Sequence, residues 1–195
     1  GVASPHMPEV TEEETMRDIL ELSGRMATDN AEGHAMPEGL TARSYIAETN
    51  REMFSELIGE PLDQATQSEL EDAILYMLFP NTQVWIGYNG NIVYRFLPNG
   101  DDHNSCIFET MILMRYPKGT QKPEPAEKNI LRPDQAFSEA PEIGGLGPVF
   151  DQDDSNMAAV QKGMIASRKG AVSLASYQES RIRHLHQTID KYLNA

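Results

Sequence analysis

The chain has 195 residues, 16 basic and 30 acidic, for a formal charge of −14, with 39% apolar residues and a single cysteine. A chain of that length buries about 70% of the surface its unfolded form exposes, so one domain can hold a core without disulfide or structural metal. One thiol excludes a disulfide scaffold, a zinc ribbon and a self-contained iron–sulfur site, and the acidic balance, with a pI near 4.7, argues against a nucleic-acid partner, because phosphate affinity comes from clustered Lys and Arg.

The longest apolar run, residues 73–79, falls far short of the roughly 20 that span a bilayer, and no basic-then-apolar segment opens the chain. A soluble protein of the reducing cytoplasm, with no membrane partner, is expected. The chain starts at Gly1 without an initiator Met, which points to a piece of something longer.

Thr11 with Glu14 makes a capping box, and Met16, Ile19, Leu20, Ser23 and Met26 then recur at three- and four-residue steps, predicting an amphipathic helix that ends near Thr28. Residues 29–39 mix Asn, Gly, Pro and acids without a period and read as a loop. Thr41 can cap a second helix whose face is Ile46, Met53, Phe54, Leu57 and Ile58, stopped by Gly59 and Pro61.

From Leu75 the period becomes that of strands. Residues 84–88 and 92–96 flank Asn89-Gly90, the pair that favours a tight hairpin because both turn residues need positive φ. Residues 98–102 form a second turn, and 106–116 read as a third antiparallel strand. Residues 118–141, rich in Pro, Lys and Glu, read as a surface excursion rather than a domain boundary. After the Gly144-Gly145-Leu146-Gly147-Pro148 bend, Met157, Val160, Gln161, Met164 and Ile165 define a helix starting near Asp153 or Asp154. A last helix over 174–193 has the inward stripe Tyr177, Ile182, Leu185, Ile189 and Tyr192. The pattern predicts an α+β domain with an antiparallel sheet curled around a long C-terminal helix.

Local spacing offers little chemistry among the five histidines. His34 and Glu38 are separated by Pro37, which denies the helix that would put them on one face. His184 and His186 fall on different helix faces, and His6 and His103 stand alone. The glycines at 144–147 lack the Lys-Ser/Thr of a phosphate cradle and read as a chain reversal. Asp151-Gln152-Asp153-Asp154 remains. An Asp at a helix start caps amides and meets the positive end of the dipole, worth about 1 kcal/mol, yet three acids in four positions exceed what a cap needs and one can ligate a cation. Phe79, Trp85, Phe96, Leu146 and Phe150 suit a packed core as well as a pocket wall.

Two segments resemble a known family. Leu78-Phe79-Pro80-Asn81 with the hairpin through Tyr94-Arg95-Phe96-Leu97-Pro98 resembles the catalytic-domain sheet of Rieske non-haem iron aromatic ring-hydroxylating oxygenases, alpha subunit. Phe150-Asp151-Gln152-Asp153, Asn156, Gln161-Lys162-Gly163 and residues 177–186 resemble its C-terminal signature. The likeness covers most of residues 68–195 and holds only loosely over 1–67. It implies a helix-grip, START-like catalytic domain, here incomplete: a helical portion 1–67, then sheet, iron-ligand helix and C-terminal helix over 68–195.

In that family two histidines and one carboxylate hold a mononuclear Fe(II). By position the carboxylate is Asp153, with Asp154 the second choice and Asp151 too early. The chain has no Cys-x-His with a later Cys-x-x-His for the 2Fe-2S cluster, and no His-x-x-x-x-His for the two remaining ligands. The resemblance therefore implies the C-terminal part of a dioxygenase subunit whose Rieske domain is absent, inactive alone. The complete enzyme would insert dioxygen into an aromatic or other apolar ring, with electrons from NAD(P)H through a ferredoxin or reductase, as a homotrimer or with beta subunits as an α3β3 assembly. The alternatives are a non-catalytic helix-grip module that binds an apolar small molecule, and an assembly partner of a complete subunit.

Overall fold

Reciprocal caps open the first three helices. In the computed structural model, which describes residues 10–22 and 36–195, α1 (Glu12–Leu22) begins where Thr11 Oγ1 accepts the Glu14 amide at 3.2 Å and the Glu14 carboxylate accepts the Thr11 amide at 2.9 Å. Thr41 and Ser44 repeat the arrangement for α2 (Ala42–Ile58), which ends at Gly59 with φ 78°, a left-handed position that costs glycine nothing. Thr66 and Glu69 do so for the five-residue α3 (Gln67–Glu71). The expected continuation of α1 to Thr28, the start of the following loop, and His6 and His34 lie outside the described residues.

The chain divides into two units, Gly1–Glu124 and Pro125–Ala195. Their border falls inside the Pro-, Lys- and Glu-rich stretch, where composition alone marked no boundary. The first unit holds α1 to α3 and a sheet of β1 (Ile74–Leu78), β2 (Thr82–Ile86), β3 (Ile92–Asn99) and β4 (Asp102–Ile112), all antiparallel neighbours in sequence order. The second holds α4 (Gly147–Ala166) and α5 (Ser180–Leu193), preceded by 3-10 turns at Phe137–Glu139 and Pro141–Leu146. The fold is α+β with an open antiparallel meander and a C-terminal helix, as an incomplete helix-grip-like domain requires.

Met16, Leu20, Ala42 and Ile46 form the core between α1 and α2, with Ile19, Met36 and Tyr45 partly buried around it. The inward face of α2 differs from the expected one: Met53 and Leu57 are exposed, while Ala47 and Asn50 are buried beside Ile46 and Phe54. The cause is α3. Asn50 Nδ2 donates to the Leu70 carbonyl at 2.9 Å and to the Glu71 carboxylate at 2.7 Å, rotating the helix toward a polar contact that hydrophobic periodicity does not register. Arg43 of α2 pairs with Asp72, the residue that closes α3, and reaches the Ser68 hydroxyl in its first turn at 3.2 Å, adding a second tie between the two helices.

The β2–β3 hairpin exists, but its turn is not the tight one expected. Asn89 and Gly90 lack positive φ; Gly87, at 100°, has it. The last pair is Val84↔Val93, whereas a two-residue Asn-Gly turn would put Arg95 opposite Val84. A shift of two keeps every side chain on its expected face. Outside contacts open the loop: the Tyr88 amide donates to the Glu69 carbonyl at 2.6 Å, and Gly87 passes so near that a Cβ would lie 2.9 Å from that oxygen. Arg115 then bonds the Gly87 and Gly90 carbonyls from the far end of β4.

The third strand starts and ends four residues earlier than expected. The Asp102 carboxylate accepts the Asn104 amide at 2.9 Å and the Ser105 hydroxyl at 2.8 Å, drawing residues 102–105 into β4. Phe96 and Phe108 stack across β3 and β4 with centroids 4.8 Å apart, and Arg95 pairs with Glu109 on the register Arg95↔Glu109. β1 is exposed along its whole length.

Two predictions follow from the α2–α3 contact. Asn50→Ala leaves the Leu70 carbonyl buried without its donor, so urea unfolding should show a loss of about 1–3 kcal/mol. The Arg43 hydrogen bond, followed by that of Ser68, holds the Asp72 carboxyl below its ordinary value. That stabilisation is present above the ordinary Asp range and lost as pH falls through the lowered value. Acid titration of Arg43→Met should therefore show unfolding at higher pH than the parent chain.

Candidate functional site

The three acids at 151, 153 and 154 lie inside α4, not at its start. The helix opens at Gly147, with Pro148 in the first turn, where its fixed φ suits a helix and its missing N–H costs nothing. This corrects the expected start near Asp153 or Asp154, and neither residue is a cap. Gly147 is placed by contact: a Cβ there would meet Ser138 Cα at 2.7 Å. Phe150, 3% exposed, meets the Phe137 ring edge-on at 5.7 Å between centroids.

Asp151 fastens this packing. Its carboxylate accepts the amides of Phe137 at 2.5 Å and Ser138 at 3.3 Å, so it caps the 3-10 turn Phe137–Glu139 rather than its own helix. The Ser138 side chain, then the two amides, hold its pKa below the ordinary Asp value. The sequence signal was present in the excess of acids, but nothing local assigned this member to a turn 14 residues upstream.

With Asp151 turned inward, the other two diverge. An α-helix advances about 100° per residue, so Asp154 stacks one turn beyond Phe150, while Asp153 lies within about 40° of Met157, Val160 and Met164. Asp153 and Asp154 are both exposed, as are those three apolar residues. Asp153 thus heads an uncovered apolar stripe, while Asp154 stands about 60° from its nearest member, Met157, and within about 20° of the exposed Ile165.

α5 begins at Ser180, six residues later than expected. The Glu179 carboxylate takes the Ala175 amide, and the Arg183 guanidinium bonds the Ala175 carbonyl at 2.8 Å and the Ser176 carbonyl, holding residues 176–179 as a turn. Tyr177 lies before the helix and is 89% exposed; Ile182, Ile189 and Tyr192 are exposed as well, so of the expected inward stripe Leu185 alone is half-buried. His103, His184 and His186 are exposed, as is Cys106. Among the described residues no group of three His, Cys, Asp or Glu side chains is placed to hold a metal ion. None of the described helices is long and apolar enough to cross a membrane.

An open antiparallel meander followed by an acid-bearing helix and a C-terminal helix defines an α+β architecture of the helix-grip-like kind, here incomplete. The chain belongs to the ring hydroxylating alpha subunit (catalytic domain) family, whose model matches residues 7–195. No curated protein and no solved structure gives a match. The family is one of oxygenases that use non-haem iron. Asp153 offers one hard oxygen donor of the kind such iron takes, but one carboxylate does not make a site, and the described residues alone do not fit a complete iron centre.

The division of labour on α4 is testable by hydrogen exchange. Asp151→Ala should speed exchange of the Phe137 and Ser138 amides and lower the melting temperature, with Asp151→Asn intermediate. Asp154→Ala should change neither. In the parent chain, protection at these amides should fall as pH drops through the lowered Asp151 value, the direction required of a carboxylate stabilised in its ionised form.

Proposed function

We propose that this chain is the C-terminal part of the catalytic domain of a ring-hydroxylating dioxygenase alpha subunit, and that Asp153 is the carboxylate ligand of its mononuclear Fe(II). The two histidine ligands and the 2Fe-2S Rieske cluster belong to upstream sequence. Electrons reach the cluster from NAD(P)H through a ferredoxin or reductase, and the complete subunit works as a homotrimer or with beta subunits in the cytoplasm. Its reaction is insertion of dioxygen into an aromatic or other apolar ring.

The observation that carries the choice of Asp153 is its place at the head of the Met157, Val160 and Met164 stripe. A ligand that presents iron to an apolar ring needs its carboxylate beside an apolar wall, and Asp153 has Met157, Val160 and Met164 within about 40° of it, where Asp154 has Ile165 alone among those large exposed side chains. Asp151 contributes by orientation: bonded to the Phe137 and Ser138 amides, it fixes the rotation of α4 and so the direction in which Asp153 projects. The reading also agrees with the unburied apolar residues of β1, α4 and α5, which are surfaces for the rest of a larger domain to cover.

In the complete subunit, Asp153→Ala should remove most of the iron and abolish product formation, while Asp154→Ala should keep both near the parent level. Iron analysis and product assay of the two variants in parallel decide the matter. Swapped outcomes would move the ligand to Asp154, and iron retained in both would remove α4 from the centre. The 195-residue chain by itself should bind well under one iron per molecule and show no turnover; stoichiometric iron in a gently purified sample would contradict its assignment as a partial domain.

A further inference from the structure

The sheet is open at β1, and the alternation of antiparallel pairing fixes which backbone groups that edge leaves over. Opposed residues in such a ladder bond each other only at every second pair. The Phe96 amide donates to the Asn81 carbonyl at 2.9 Å, one step beyond the pair Thr82↔Arg95, so Asn81 and Gln83 turn their backbone groups to β3. Thr82, Val84 and Ile86 therefore turn theirs to β1, where they meet Leu78, Tyr76 and Ile74. Leu75 and Met77 keep an amide and a carbonyl each at the outer edge, and no other described element bonds them there. These four groups are symmetric about Tyr76. All five side chains of β1 are exposed, from 37% at Ile74 to 55% at Leu78, and no charge lies between Ala73 and Phe79 in a chain of −14. Edge strands are commonly guarded by charge, as β4 on the opposite edge is by Asp102 and Glu109. Layers laid on the two faces of the sheet would leave these edge groups unpaired; only a strand satisfies them.

We propose that two copies of this chain pair through β1, antiparallel about a two-fold axis at Tyr76, so that two four-stranded sheets become one. Leu75 of each copy lies opposite Met77 of the other, and the two pairs exchange backbone hydrogen bonds that use every group the edge leaves over. Ile74 meets Leu78, and Tyr76 meets its own counterpart across the axis. A slip of one residue would set Leu75 against Tyr76, whose backbone groups are spent on Val84, so the register is specified. The contact is self-complementary and closes on itself, so assembly stops at the dimer. Five residues a side fall well short of the roughly 20–30 of a standard interface, so the dimer is weak, with a Kd in the upper micromolar range. The proposal does not depend on iron or on the oxygenase reading.

Sedimentation equilibrium of the 195-residue chain at physiological salt, where repulsion between acidic chains is screened beyond about 8 Å, should show monomer and dimer in exchange. Monomer alone into the millimolar range, or assembly beyond the dimer, would overturn the proposal. Tyr76→Lys sets two cations against each other on the axis and should raise the dimer Kd at least tenfold; an unchanged Kd would overturn it. The register is read independently by cysteine pairing in a Cys106→Ser background, which removes the one native thiol. Tyr76→Cys brings two Cα atoms to about 4.5 Å, within disulfide range, and should cross-link in oxidised glutathione. Ile74→Cys lies four residue steps, about 13 Å, from its own counterpart and should not. Equal cross-linking at the two positions, or none with Tyr76→Cys, would also overturn the proposal.

Discussion

A carboxylate bonded to two backbone amides fixes the orientation of the helix that the functional reading depends on. Asp151 reaches the amides of Phe137 and Ser138 while Phe150 fills the space beneath and Gly147 lets the two backbones approach. These contacts allow α4 one rotation about its axis. Once Asp151 faces inward, helical geometry sends Asp153 to the apolar stripe and Asp154 to the Phe150 side. Of three acids in four positions, one is structural, one heads the stripe, and one is bound to neither role.

The first unit uses the same device twice, with single polar side chains reaching backbone groups of another element. Asn50 holds the Leu70 carbonyl, which sets the face that α2 buries. Arg115 holds the Gly87 and Gly90 carbonyls, which sets the shape of the β2–β3 loop. Both contacts join residues 20 or more positions apart, and both override a local preference: hydrophobic periodicity at Met53 and Leu57, turn propensity at Asn89-Gly90. The elements legible in the sequence are those whose determinants are local. The Thr11–Glu14 box and the Thr41 cap place α1 and α2, alternation places the strands, and Gly59 ends α2 where glycine is needed. The helix starts at 147 and 180 were missed because the close approach of Ser138 to Gly147 and the bonds of Arg183 to the Ala175 and Ser176 carbonyls decide them, and hydrophobic periodicity registers neither. The brief α3 had only its Thr66–Glu69 box to announce it, with too few residues to show a period.

The candidate site was legible in a different way. No spacing rule distinguishes Asp153 from its neighbours, and the acids by themselves read as helix caps; likeness to a family signature singled Asp153 out. The structure removes the capping explanation, since the helix begins six residues earlier. In each unit, apolar side chains remain exposed to an extent unusual for a finished domain, 55% at Leu78 of β1 and 59% at Val160 of α4. Surface of this kind is stable in water when more of the same domain covers it, which agrees with a catalytic domain whose remaining parts lie elsewhere in sequence.

The claim at the centre of this account is that α4 projects Asp153, and not its neighbours, toward iron. The most direct test is an anomalous-scattering map at the iron edge from crystals of the complete subunit. The account predicts one mononuclear iron peak at bonding distance, about 2 Å, from an Asp153 carboxylate oxygen, with Asp151 still on the Phe137 and Ser138 amides. A peak bonded to Asp154 or Asp151, or one with no ligand from α4, would contradict it.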